Sequence, residues 1–301
     1  MKKRNRVFEL VLTAVLGAII LFMSLVPQIG FITILPGVSI TLVHIPVLIG
    51  VFLLSLKSSI ILGFFFGLGS LFAALLSAKS AFDMAFVFPW ISILPRILFA
   101  VIAFYIAKGF KKLMNVKNGK FILFGIVSIV TALSLFFGIK ETVKKVVYND
   151  YNVEVQNYNA LVNNPDSTEE DINLSKITMD DLKISSDDNY KKVNNIVTPI
   201  SIVVIVGLVG LYFVITMKKN GKHIYIPSVF ILATIAHTVL VIGSVALFKP
   251  SAFEETFGNN QSVIAILYLI AMANGLIEAI FGALIGTPIT IATKDSLERE
   301  E

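Results

Sequence analysis

The chain has 301 residues, a mean hydropathy of +0.84, a formal net charge of +5 and no cysteine. The missing cysteines exclude disulfides, thiolate metal ligands and a cysteine nucleophile. The positive charge does not point to nucleic acid, because the lysines and arginines sit in short segments between apolar runs. Those runs approach the ~20 residues that cross a bilayer core of ~30 Å. They lack the period-2 alternation of barrel strands, so the expected fold is an all-α, polytopic membrane helix bundle with the lipid bilayer as its solvent.

In chain order, the first run, 7–26, follows Lys2, Lys3, Arg4 and Arg6. No small-x-small cleavage site follows it and further spans do, so it reads as a retained first helix. Thr13, Ala14, Gly17 and Ala18 cluster in it, and Ala14-x-x-x-Ala18 is a small face of the kind that permits close helix approach. The next apolar run begins near Ile29 but is interrupted by Pro36, Gly37 and Pro46. Residues 28–42 are therefore expected as a non-helical apolar loop, tolerated at membrane depth only where it is buried in protein or lines a cavity. It leads into a short second span over 43–56.

Further spans are expected at 59–77, where Gly63-x-x-x-Gly67 and Gly69 form another small face, and at 87–107, 120–139, 197–217, 225–248 and 262–292. With eight alternating spans, the N-terminus, Lys57, Lys108 to Lys120 and Lys218 to Lys222 share one side. By the positive-inside rule that side is cytoplasmic, which predicts a multi-pass cell-membrane protein with both termini inside. Asn149 to Tyr190 carries ten acidic residues and two lysines. The surrounding stretch, about 140–196, is expected outside as a solvated segment, either partly disordered or a small α-helical insert.

Ionisable and strongly polar residues within spans are costly and mark functional sites by default. Arg96 and Trp90 fall in the fourth span, His237 and Thr238 in the seventh, Asn274 and Glu278 in the last, and Thr41 and His44 where the apolar loop meets the second. Asn274 and Glu278 are four apart and share a helix face. Arg96 and Glu278 have opposite charge, and two readings stay open: an interhelical ion pair that fixes packing, or a polar pocket in which Arg96 binds a carboxylate. His44 and His237 read either as satisfied polar residues at helix contacts or as ligand contacts. Trp90 reads as an interfacial anchor or a ligand platform.

No G-x-x-x-x-G-K-[ST], H-E-x-x-H or G-x-S-x-G motif occurs, which argues against a P-loop ATPase, a zincin and an α/β-hydrolase elbow. No metal site, cofactor or catalytic residue is assigned. No internal repeat of the kind built into self-powered transporters is apparent.

Several segments resemble the substrate-binding (S) components of energy-coupling factor (ECF) vitamin transporters: Pro36 to Gly50, Gly63-x-x-x-Gly67-x-Gly69-Ser70, Pro95-Arg96-Ile97-Leu98, Ala236 to Gly243, Asn274 to Ala279, and the Ala14-x-x-x-Ala18 face. Where His237 stands, the family more often has Asn. The resemblance covers about 7–112 and 225–292, and Thr41 to Ile49 is most similar to the pantothenate-type subgroup. It implies a six-helix S-component-like core made of 1–117 and 223–301, with 118–222 as an inserted transmembrane hairpin carrying the acidic loop. It also implies a non-enzymatic subunit that captures a small-molecule vitamin from outside and hands it inward. The expected partners are a transmembrane T component, which docks on Ala14 and Ala18, and two ATPase subunits. On this reading Thr41, His44, Trp90, Arg96, His237, Thr238, Asn274 and Glu278 bind substrate. Two other classes remain: a non-catalytic assembly or sensor protein that uses the outer loop, and an intramembrane enzyme with His237 and Glu278 as acid and base.

Overall fold

In the computed structural model the described residues are 6–35, 38–78, 80–217, 223–252 and 275–300. They form an all-α polytopic membrane bundle with one small hairpin. In order come α1 (Arg6–Leu25), α2 (Pro27–Gly30), β1 (Phe31–Leu35), β2 (Val38–Thr41), α3 (His44–Leu53), α4 (Leu56–Ser77), α5 (Ala81–Ala85), α6 (Pro89–Leu113), α7 (Gly119–Val147), α8 (Asn149–Asn163), α9 (Glu169–Met217), α10 (Tyr225–Phe248) and α11 (Leu276–Glu300). Among the described residues, helices α1, α4, α6, α7, α9 and α10 are long and apolar enough to cross a membrane. Their outer faces carry exposed apolar side chains such as Leu10, Phe22, Leu76, Ile129, Val203 and Val206. Water would not tolerate so continuous an apolar surface, whereas lipid solvates it.

Two expectations are corrected. The described residues of 28–42 are not a simple loop. A single helical turn, α2, leads into an antiparallel pair in which Phe31 faces Thr41, Ile32 faces Ile40 and Thr33 faces Ser39. β-Branched residues dominate both strands and Pro36-Gly37 lies between them, a combination that favours a hairpin. The hairpin satisfies in pairs the backbone groups that an apolar loop would leave open. The second span is also too short: α3 has ten residues, about 15 Å of helix, and nearly all of them are buried. It is an interior helix. The expected last span, 262–292, begins outside the described residues, and α11 accounts for its second half.

The outer segment takes one of its two expected forms. Helix α7 continues to Val147, α8 follows almost directly, and α9 runs for 49 residues. That is about 74 Å of helix, far more than the ~30 Å of hydrocarbon. Of the two forms expected for 140–196, the helical one is observed. The acidic half of α9 is held against α8 by Ser175 donating to Glu154 at 2.6 Å and by the Tyr148 hydroxyl donating to Asp187. Lower down, Phe124 packs on Tyr212 and Phe213, and Leu135 on Ile205, so the two arms run antiparallel along their whole length. The arms also pack on the remaining helices. Leu123 and Val127 join the main core, Ile235 and Ile280 pack against the Leu135–Ile205 contact, and the hydroxyls of Tyr212 and Ser228 lie 2.9 Å apart.

Within the bundle, α4 lies antiparallel to α6 at very short range. A β-carbon on Gly63 would sit 2.7 Å from the Arg96 carbonyl oxygen, and one on Gly67 would sit 2.5 Å from the Ile93 α-carbon. Only glycine allows these backbones to meet. On α1 the small residues divide between two faces. Thr13 and Gly17 are buried, with Gly17 against the Phe65 ring, whereas Ala14 and Ala18 are exposed. One end of the bundle gathers Lys57, Lys108, Lys111, Lys112, Lys117 and Lys120. There Glu9 accepts hydrogen bonds from the Ser55 amide and the Ser58 hydroxyl, both at 2.9 Å, tying α1 to the start of α4.

Candidate functional site

Arg96 lies seven residues after Pro89 in α6, about 10 Å from the end opposite the lysines. Its neighbour Pro95 is inside the helix. Proline has no N–H, so the carbonyl four residues back, that of Ile91, loses its helical donor. The Arg96 Nη1 supplies the donor instead, at 2.9 Å. The guanidinium carbon stands 4.9 Å from the Phe86 ring centroid and 5.8 Å from that of Phe66. Phe86 is steadied in turn, because its carbonyl accepts from the Ser92 hydroxyl, and α5 just before it starts with a Ser80–Asp83 capping box. Arg96 is 6% exposed, and its Nε has no hydrogen-bond partner among the described residues. An arginine at membrane depth costs roughly 3 kcal/mol, and a cation–π contact returns about 0.5–2 kcal/mol. The side chain is therefore held but not fully satisfied.

Phe66 links Arg96 to His237. The His237 ring lies 5.1 Å from Phe66 and 4.8 Å from Phe99, between α4 and α6. On its other side it stacks with His44, centroid to centroid 6.3 Å at an interplanar angle of 20°. His44 opens α3 and is fully buried. Among the described residues neither of its ring nitrogens finds a well-formed hydrogen bond, although the Thr41 backbone lies close by. Helix α11 reaches this layer through glycine: a β-carbon on Gly282 would be 3.0 Å from His44 Nε2 and 3.8 Å from Thr234 Oγ1. Thr234 Oγ1 and His237 Nδ1 are likewise buried without partners among the described residues. Buried polar atoms are almost always paired in a finished protein interior. Here the guanidinium Nε, two imidazoles and a hydroxyl share one aromatic-walled region of a lipid-immersed bundle.

Glu278 does something else. Its Oε1 accepts the backbone N–H of Thr41 at 2.8 Å, so the carboxylate anchors the end of the hairpin to α11. Among the described residues Arg96 and Glu278 form no ion pair with each other, and of the two readings left open by sequence the packing ion pair is not seen. Thr238 is buried beside His237, but its hydroxyl bonds its own helix at the Thr234 carbonyl, 3.2 Å away, and its side chain packs on Gly275. Trp90 is half exposed with its ring against Phe88, outside the cluster. Asn274 lies outside the described residues. Ala14 and Ala18 are on the outward face of α1, remote in role from the buried cluster.

Sequence reasoning missed Phe66, Phe86, Phe99 and Thr234. Phenylalanine is abundant throughout the spans, with 24 in the chain, and carries no local mark that separates a site wall from a lipid-facing side chain. Thr234 carried a usable signal: it precedes His237 by three residues and Thr238 by four, and so shares their face.

The fold and site define a multi-pass helical membrane protein with a buried, basic, aromatic-walled polar cluster drawn from α3, α4, α6 and α10 and closed over by α11. Residues 8–149, just under half the chain, match the family model described as ECF transporter, substrate-specific component. The match runs on through α7, beyond the boundary drawn at 117 from sequence. No curated protein and no solved structure matches the chain.

Proposed function

We propose that this protein is the substrate-specific component of an ECF-type importer, binding a vitamin within the bundle and relying on a T component and two ATPases for energy. The family match over 8–149 supports this reading. The observation that carries it is Arg96, a buried cation that finds neither a carboxylate partner nor a partner for its Nε among the described residues. A substrate carboxylate would complete it with a charge-assisted bond. Pantothenate, the vitamin type whose family members the Thr41–Ile49 segment is most similar to, has such a group, and its amide and hydroxyls suit His44, His237 and Thr234. Thr41 and Glu278 would act together by seating the hairpin, with Thr238 and Asn274 contributing from α10 and the approach to α11. Trp90 serves better as an interfacial anchor than as a ligand contact. The lysine-rich end would face the cytoplasm, the α8–α9 arm would stand outside, and α7 to α9 would be an addition to a six-helix core. Ala14 and Ala18 would receive the T component.

The test is a thermal-shift screen of detergent-purified protein against water-soluble vitamins. A true ligand raises the melting temperature by mass action, about 2.7 kcal/mol at a hundredfold excess over Kd. The screen is repeated with Arg96→Ala. A carboxylate-bearing vitamin that stabilises the wild type strongly and Arg96→Ala much less is the expected result. No shift with any vitamin would sink the transport reading, and an equal shift in Arg96→Ala would remove Arg96 from the site.

A further inference from the structure

We infer that Pro95 is a positioning residue for the buried guanidinium: by withholding a backbone N–H it reserves the Ile91 carbonyl for Arg96 Nη1, which fixes the fork and leaves Nε–H presented for the ligand. The inference rests on the transport reading for its ligand, though not for its geometry. In an unbroken helix the residue at 95 would donate to the Ile91 carbonyl. With proline there, that acceptor has no helical donor and would be unpaired in hydrocarbon, where an open carbonyl is costly. Arg96 Nη1 occupies it at 2.9 Å. The bond spans five residues of one helix, so it swings the side chain back towards the Pro89 end of α6. That direction brings the guanidinium over Phe86 and Phe66. The other side of the arrangement is closed by α4, whose Gly63 and Gly67 bring its backbone against Arg96, Ile93 and Ser92. An arginine with all its rotamers open loses side-chain entropy on being fixed. With the fork already anchored by its own helix, the ligand meets a donor whose orientation is set.

The substitution that isolates this role is Pro95→Ala. Alanine restores the N–H, competes for the Ile91 carbonyl and frees Nη1. It also mends the helix, so the melting temperature of the unliganded protein is expected to stay level or rise. The chain has four arginines, Arg4, Arg6, Arg96 and Arg299, so 15N-arginine labelling gives few guanidinium signals and Arg96→Ala assigns the one of interest. Separate Nη1 and Nη2 signals for Arg96 in the wild type, collapsed to one in Pro95→Ala, are expected. Separate signals retained in Pro95→Ala would overturn the proposal, and this readout needs no ligand. The second readout is a double-mutant cycle with the carboxylate-bearing vitamin found by the thermal-shift screen. Pro95→Ala is expected to weaken binding tenfold or more when Arg96 is present and less than twofold in the Arg96→Ala background, because Pro95 acts only through Arg96. Equal losses in both backgrounds would overturn it. If no vitamin binds the wild type, the transport reading fails while the guanidinium signals still decide the positioning role.

Discussion

The carboxylate of Glu278 accepts the backbone N–H of Thr41 across 237 residues of sequence, at 2.8 Å. This bond fastens the last residue of β2 to α11, and three residues later the chain delivers His44 into the buried cluster. The hairpin and the imidazole are thus located by the same contact.

Removing that acceptor should loosen the hairpin. Glu278→Ala leaves the Thr41 N–H unpaired, a loss of about 1–3 kcal/mol, and Glu278→Gln keeps a carbonyl in place and loses less. Thermal unfolding in detergent orders the three proteins as wild type, Gln, Ala. Amide exchange at Thr41 should accelerate most in the Ala variant, and an unchanged Thr41 amide there would contradict the contact.

The α4–α6 approach makes a sharper prediction. Gly67→Val forces side-chain atoms into the Ile93 α-carbon, whose distance to a β-carbon at 67 is 2.5 Å. Overpacking of this kind costs about 1–3 kcal/mol, and because it pushes α6 it should also weaken ligand binding through Arg96. Gly207→Ala is the control, since nothing lies within 4 Å of its added carbon. It should be neutral or stabilise by up to about 1 kcal/mol. Equal melting temperatures for the two variants would contradict the packing.

The docking role proposed for the outward face of α1 can be tested apart from folding. Ala14→Trp with Ala18→Trp adds bulk only where the bundle is exposed. The double variant should keep the wild-type melting temperature and vitamin response while losing co-purification of a co-expressed T component and its ATPases. Retained co-purification would remove this face from the interface. Gly17→Leu, by contrast, should destabilise, because its β-carbon would meet the Phe65 ring at 2.7 Å.

The outer arm should respond to alkaline pH. The Tyr148 phenol, held by its hydrogen bond to the Asp187 carboxylate, has its pKa pushed up from 10.0 to about 12. A group whose pKa is raised on folding contributes its stability below the unfolded value and loses it as pH rises through the folded one. The α8–α9 contact is therefore expected to hold to pH 10 and loosen between 10 and 12. Because the Tyr148–Asp187 bond is open to solvent, the effect is local and small. Ultraviolet titration of wild type against Tyr148→Phe should show one tyrosine ionising late. Ionisation of that residue near pH 10 would contradict the bond.

Most of the bundle was legible without coordinates because lipid imposes a local, compositional condition: a stretch must be apolar for about 20 residues and satisfy its own backbone. The seventh span was read at 225–248, and the helix is Tyr225–Phe248. The hairpin, the interior helix α3 and the 49-residue α9 were not legible in the same way. Apolar composition does not distinguish a strand pair from a loop buried in protein. The outer half of α9 is stabilised by α8 lying against it rather than by any strong period of its own.

By itself the sequence determined that Arg96, His44, His237 and Glu278 had to face inward, since hydrocarbon solvates none of them. Which of them meet was decided by the tertiary structure. Glycines on α4 set how near α6 comes, Pro95 turns the Arg96 fork back along its own helix, and Gly282 lets α11 close over His44. These contacts join residues far apart in the chain, and their geometry depends on helix rotation and separation. Glu278 consequently went to the Thr41 backbone and left Arg96 without a carboxylate among the described residues, a pairing that charge and depth alone could not have settled.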